Sequence, residues 1–113
     1  FMKKVEAIIR IEKLEAVKEK LFEHNVNGIT MTQVLGCGKQ KGHKNLYRGT
    51  VVDVTLLPKI KLEIVASDDK VDEIVSIIKQ YAKTDNIGDG KIFVYSIDDV
   101  IRIRTGESGN NAI

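Results

Sequence analysis

The chain has 113 residues, 42% hydrophobic and 30% charged, a balance that suits one folded domain and excludes a disordered segment. A formal net charge of +2 and a sequence pI near 8.7 are too mild to predict nucleic-acid binding by themselves. The single cysteine, Cys37, excludes an internal disulfide and fits a reducing compartment; with no apolar run near ~18 residues and no visible signal peptide, a cytoplasmic location is expected.

Val5, Ala7, Ile9 and Ile11 alternate with Glu6 and Arg10, the period of a half-buried strand. Over residues 12–24 the period becomes helical: Leu14, Val17 and Leu21 form the apolar stripe, and Asn25-Val26-Asn27-Gly28 supplies C-terminal punctuation. Residues 29–35, rich in Thr, Val and Ile, predict a strand ending at Gly36. Ile60, Leu62 and Ile64 alternate with Lys61 and Glu63 in a third strand. Val71, Ile74, Val75, Ile78, Tyr81 and Ala82 follow the i, i+3, i+4, i+7 spacing of a second helix, with Asp68 or Asp69 as its N-cap. Residues 92–97 read as a fourth strand and residues 100–104 as a short fifth.

Strand–helix–strand thus occurs twice, with a faint echo of Lys13-Leu14-Glu15-x-Val17 in Lys70-Val71-Asp72-x-Ile74. The expected class is α+β: a ferredoxin-like split βαβ (βαββαβ) fold with both helices on one face of an antiparallel four-stranded sheet. Ile8, Val65, Phe93 and Ile97 make the other face apolar in part, so subunit association is expected to cover it.

Three segments carry possible chemistry. Thr84-Asp85-Asn86-Ile87-Gly88-Asp89-Gly90-Lys91 places two glycines around an acid and ends on a lysine that opens a strand. Gly admits the φ > 0 conformations in which backbone N–H groups form a concave anion site, and the lysine adds a compact charge. Arg102 and Arg104, alternate on a strand, would present both guanidinium groups on one face. The plain alternatives are a tight turn and a solvated strand edge, and no P-loop or dinucleotide-binding glycine motif is present. Between the second and third strands runs an unusually long connection, about 37–57, carrying Lys39, Lys41, Lys44 and Arg48 against Asp53. It reads either as a solvated basic hairpin or as a finger anchored on a partner by Tyr47 and Arg48.

Taken together, Gly36-Cys37-Gly38-Lys39-Gln40-Lys41-Gly42-His43, Tyr47-Arg48-Gly49-Thr50, Leu57-Pro58-Lys59, residues 84–94 and Arg102-Ile103-Arg104-Thr105-Gly106-Glu107 come in the order and spacing of one family. The chain resembles the PII nitrogen-regulatory signal proteins of the GlnB/GlnK type over residues 2–113. The resemblance implies one domain that forms a homotrimer, with a T-loop at about 37–57. It also implies ATP or ADP in clefts between subunits and, with Mg²⁺ and ATP in place, 2-oxoglutarate at the loop base. Such proteins are allosteric adaptors rather than enzymes. The implied partner is an ammonium transporter, with Arg48 inserted toward its pore, or an enzyme of nitrogen metabolism; contact with a membrane would come only through a transporter.

By the same resemblance, Gly36, Gly38, Lys39 and Gln40 would meet the phosphates at the loop base. Gln40 would give an oxygen to Mg²⁺. Gln40, Lys41, Gly42 and Lys59 would surround 2-oxoglutarate, with Lys59 pairing a carboxylate. Gly88, Asp89, Gly90 and Lys91 would wrap the phosphates, and Arg102 and Arg104 would reach in from the neighbouring subunit. Thr30, Glu63 and Ile64 would lie on the adenine side, although Glu63 and Ile64 also suit an ordinary strand. Tyr47, Arg48, Gly49 and Thr50 would belong to the partner-binding loop. Two departures stand out. Val51 and Val52 occupy the positions of a Glu-Tyr pair whose tyrosine is uridylylated in many relatives, and Lys39 replaces an arginine, keeping the charge but losing the planar fork.

The competing classes are a single-stranded nucleic-acid module of the same βαββαβ order and a slow ATPase. The first needs paired aromatics on one sheet face, and Phe93 and Tyr95 are expected to fall on opposite faces. For the second, no general base or nucleophile is evident.

Overall fold

Alternation along β1 (Met2–Arg10) sets the two faces of the sheet. A 3₁₀ turn at Ile11–Lys13 leads into α1 (Leu14–Glu23), followed by β2 (Ile29–Lys39), the short strands β3 (Asn45–Tyr47) and β4 (Thr50–Val52), β5 (Val54–Ser67), α2 (Asp68–Ala82) and β6 (Lys91–Ile97). The computed structural model describes the backbone of residues 1–39, 45–47, 50–52 and 54–113, and their side chains apart from those of 38, 39, 45–47, 50–52, 54 and 55. The main sheet has the order β2-β5-β1-β6 with every neighbour antiparallel, and β3 pairs with β4 alone. This is the expected α+β, ferredoxin-like arrangement, with the β3–β4 ladder inserted between β2 and β5.

Cross-strand rows explain where the core lies. Val5 stands between Ile64 and Val94, Ala7 between Leu62 and Ile92, and Ile9 opposite Ile60. Val17 and Leu21 of α1 and Val71, Ile74, Ile77 and Ile78 of α2 are buried in one cluster with Val5, Ala7, Ile9, Leu62 and Ile64. Each of the larger side chains contributes about 1.5–3 kcal/mol by leaving water. Both helices therefore cover one face. Among the described residues, no helix is long and apolar enough to cross a membrane.

The open face carries Lys4, Glu6, Ile8 and Arg10 of β1 beside Glu63, Lys61 and Lys59 of β5 and Phe93 and Tyr95 of β6. Phe93 pairs with Glu6 and Tyr95 with Lys4, so the two aromatics share this face, contrary to the expectation that they would alternate; residues two apart on a strand point the same way. Lys4 Nζ lies 2.9 Å from Glu63 Oε2 and 5.2 Å from the centre of the Tyr95 ring, and the Tyr95 hydroxyl donates to Glu6 at 3.2 Å. The hydrogen bond from Lys4 holds the Glu63 carboxyl below its ordinary value.

Three local expectations are corrected. β2 does not stop at Gly36: the ladder with β5 continues through Gly36↔Leu57 to Lys39↔Val54. β5 supplies partners, and a strand's length is decided by its neighbour as much as by its own composition. The N-cap of α2 is Ser67, not Asp68 or Asp69; these acids occupy the first turn, where their charge suits the helix dipole. The short fifth strand is absent. Ile101 makes one isolated bridge with Ser108, and Gly106 at φ +73 turns the chain back so that the amides of Arg102 and Gly106 donate to Glu107 and Arg102 carbonyls, both at 2.8 Å.

Candidate nucleotide site

After α2 the chain must cross from the helix layer to the sheet edge, and residues 83–90 make that crossing. Asp85, Gly88 and Gly90 all take positive φ, at +67, +102 and +98. Gly90 has no room for a side chain, because a Cβ there would lie 1.7 Å from the Ile8 carbonyl oxygen. Positive φ at alternate residues is one requirement of an anion-binding nest, and the two glycines meet it. Lys91 follows directly, exposed at the start of β6 opposite Ile8.

Asp89 holds the crossing together. Its Oδ2 accepts from the amides of Thr84 at 2.8 Å and Asp85 at 3.0 Å, while Oδ1 accepts from Arg10 Nε at 2.9 Å and from the Thr84 hydroxyl. Partial burial acts to raise the carboxyl's pKa, but the bonds from Thr84, Arg10 and Asp85 outweigh it and keep the group well below the usual carboxylate range. The Asp89 carboxylate is therefore committed inward, and what it offers a ligand is its backbone.

Lys59 is the one buried charged side chain among the described residues, 8% exposed. Its Nζ donates to the carbonyl of Gly88. Gly36 stands beside its stem, where a Cβ would come within 3.2 Å of Lys59 Cγ. The fold thus brings Gly36, Lys59, Gly88, Asp89, Gly90 and Lys91 to one end of the sheet, with Arg10 and Thr84 between them. Thr84 opens the glycine-turn segment legible in the sequence, whereas Arg10 carries no local signal beyond its place as a polar residue in an alternating strand.

A second group lies elsewhere. Thr30 and Glu63 are cross-strand partners at the start of β2, next to Ile64. All three line a cavity of about 550 Å³ with the turn at Asn25, Asn27 and Gly28. Ile64 turns its side chain into the core, leaving its backbone for the cavity. Beyond Ile64, Val65 to Ser67 have no β2 partner, so one edge of β5 is free there. Val100 and Ile113 line the same cavity. Arg102 lies beside it, its Nη1 3.2 Å from Glu107 Oε1 and its Nη2 donating to the Ile113 carbonyl at 3.4 Å. Arg104 is exposed. From Lys59 to Glu63 is four residue steps along β5, about 13 Å at the usual strand rise, so the two groups stand apart on one chain.

Gly38 and Lys39 lie in β2 and Tyr47 and Thr50 face each other across β3–β4. Gln40, Lys41, Gly42, Arg48 and Gly49 fall outside the described residues. So does the expected Mg²⁺ ligand; among the described residues, no group of three or more His, Cys, Asp or Glu side chains is placed to hold a metal ion.

The chain matches the family described as Nitrogen regulatory protein P-II over residues 2–107. A nitrogen regulatory protein P-II of Bradyrhizobium diazoefficiens is 55% identical over 112 residues, covering 99% of this chain and 100% of that protein. Its counterpart in Rhodospirillum rubrum is 54% identical with the same coverage. Among solved structures, B. subtilis GlnK superposes with a TM-score of 0.83 at 42% identity, covering 99% of this chain and 98% of that one. The B. subtilis GlnK-ATP complex gives 0.82 at 38% identity, covering 99% and 97%. With the family matched over nearly its whole length and the fold shared, the chain belongs to the P-II nitrogen regulatory proteins.

Proposed function

We propose that this protein is an effector-gated adaptor of nitrogen regulation that binds ATP or ADP in clefts between neighbouring copies of a homotrimer. The observation that carries this reading is the division of the site. The glycine turn with Lys59 and Lys91 stands at one end of the sheet, and the Thr30–Glu63 cavity with Arg102 stands about 13 Å along β5. Two halves on one chain are completed when the cavity of one copy abuts the turn of the next. The GlnK-ATP complex among its structural relatives supports the choice of nucleotide.

In this reading the phosphates sit on the nest of Gly88 to Gly90, with Lys91 as counter-charge and Gly36, Gly38 and Lys39 approaching from β2. The neighbour's Thr30, Glu63 and the free backbone edge after Ile64 hold the base, and its Arg102 and Arg104 supply guanidinium groups to the phosphates. Arg102 leaves Glu107 to do so. Bound Mg²⁺ would supply a hard positive charge to the phosphates, and the Gln40 side chain would be its oxygen donor. Lys59 exchanges the Gly88 carbonyl for a carboxylate of 2-oxoglutarate, beside Gln40, Lys41 and Gly42. The loop bearing Tyr47, Arg48, Gly49 and Thr50 then fits or rejects a target, an ammonium transporter or a nitrogen-metabolism enzyme in the cytoplasm. Coupling in the usual range of ~1–3 kcal/mol changes target affinity roughly 5- to 150-fold. The role is regulatory, with no turnover of its own.

Calorimetric titration with Mg-ATP and then 2-oxoglutarate tests the scheme. Sequential heats are expected, the second abolished in Gln40→Ala. No 2-oxoglutarate heat at saturating Mg-ATP would contradict the effector site.

A further inference from the structure

Arg10 and Lys59 are direct partners across β1 and β5 on the open face. Like charges at that spacing repel unless something neutralises them. Here the crossing segment lies over both: Lys59 donates to the Gly88 carbonyl, and Arg10 donates through Nη2 to the Ile87 carbonyl at 2.9 Å and through Nε to Asp89 at 2.9 Å. Two adjacent carbonyls and one carboxylate thus cap two adjacent cations. The arrangement binds in both directions, since the same contacts fix the backbone of Ile87, Gly88 and Asp89. Arg10 is the stronger holder because its planar fork reaches a carbonyl and a carboxylate at once in a fixed geometry, whereas an ammonium on a flexible stem is not pre-organised for the pair. Its remaining Nη1 faces Glu12 at 4.0 Å. A Cβ on Gly88 would come within 3.2 Å of Arg10 Nη2, so the guanidinium packs directly under the glycine.

We propose that Arg10 is a positioning residue for the phosphate turn: it orders Ile87 to Gly90 from the end of β1, and nucleotide affinity depends on it although its guanidinium is spent inward on the turn. The consequence for affinity rests on the phosphate reading above; the ordering of the turn does not. Charge-assisted hydrogen bonds of this kind set the scale at about a 10- to 100-fold effect.

Amide hydrogen exchange on the free protein, paired with ATP and ADP titrations, tests this in Arg10→Ala, Arg10→Lys and Asp89→Asn. Arg10→Ala is expected to speed exchange across residues 84–91 at least about tenfold while α1 and α2 stay within about twofold. It should also weaken ATP and ADP by the same factor, about 10- to 100-fold. Arg10→Lys, keeping the ion pair but losing the fork, should fall between, and Arg10→Ala combined with Asp89→Asn should lose less than the two single changes added, because the two residues share one contact. Unchanged exchange in the turn, or unchanged affinity in a wild-type protein that binds, overturns the proposal. A loss much larger for ATP than for ADP does so as well, because it marks a direct phosphate ligand. A wild-type protein that takes up neither nucleotide overturns the parent reading instead, and the exchange arm alone then decides what Arg10 does to the turn.

Discussion

Thr84 and Asp89 close the glycine turn on itself, five residues apart: the Thr84 amide donates to Asp89 Oδ2 at 2.8 Å and its hydroxyl donates to Oδ1. These bonds require the ionised carboxylate, which is why the group is held below its ordinary pKa. A depressed folded-state value means that the contribution is fully present above the unfolded pKa of about 3.9 and is lost as pH falls through the folded value. Asp89→Asn is expected to cost about 1–3 kcal/mol at neutral pH. Urea unfolding of both proteins between neutral pH and acid should show the difference shrinking on the acid side. A difference that stays constant to the lowest pH would remove Asp89 from that role.

Gly90 and Gly106 both take positive φ, +98 and +73, but only Gly90 has a backbone atom in the place of a Cβ. Gly106→Ala should cost about 1–2 kcal/mol from the left-handed conformation alone. Gly90→Ala must also displace β1 from the turn and should cost several times more, on the order of 4 kcal/mol or failure to fold. Thermal unfolding of the two variants makes the comparison, and equal midpoints would show that the approach to Ile8 is not tight.

Lys59→Met keeps an apolar stem beside Gly36 and removes the donor to Gly88. It should abolish 2-oxoglutarate binding and weaken Mg-ATP by less than about tenfold, since one hydrogen bond to a turn carbonyl is lost. Retention of 2-oxoglutarate binding would take Lys59 out of the effector site.

Val51 and Val52 lie in β4 and carry no hydroxyl. Incubation with a uridylyltransferase from a relative and UTP should leave the intact mass unchanged, whereas Val52→Tyr should restore a substrate. Modification of the wild-type chain would point to another tyrosine.

How much of this was legible depended on whether the signal was local. Alternation in β1 and the helical stripe of α2 carry their own period, so both elements stand where that period predicts. The continuation of β2 through Gly38 and Lys39 depends on β5 as partner, which composition around two glycines does not announce. Residues 100–104 look like a strand, but Gly106 and Gly109, both at positive φ, fold the segment back. Within the site, the glycines and Lys91 are legible as residue types. The inward direction of Asp89 is not, because one of its partners, Arg10, lies 79 residues away in sequence.

If neighbouring copies complete the nucleotide site, native mass spectrometry of the protein titrated with ATP should find a trimer that takes up as many as three nucleotides and loses them in Arg102→Ala while remaining trimeric. A monomer that binds ATP with undiminished affinity, or a trimer that binds none, would contradict it.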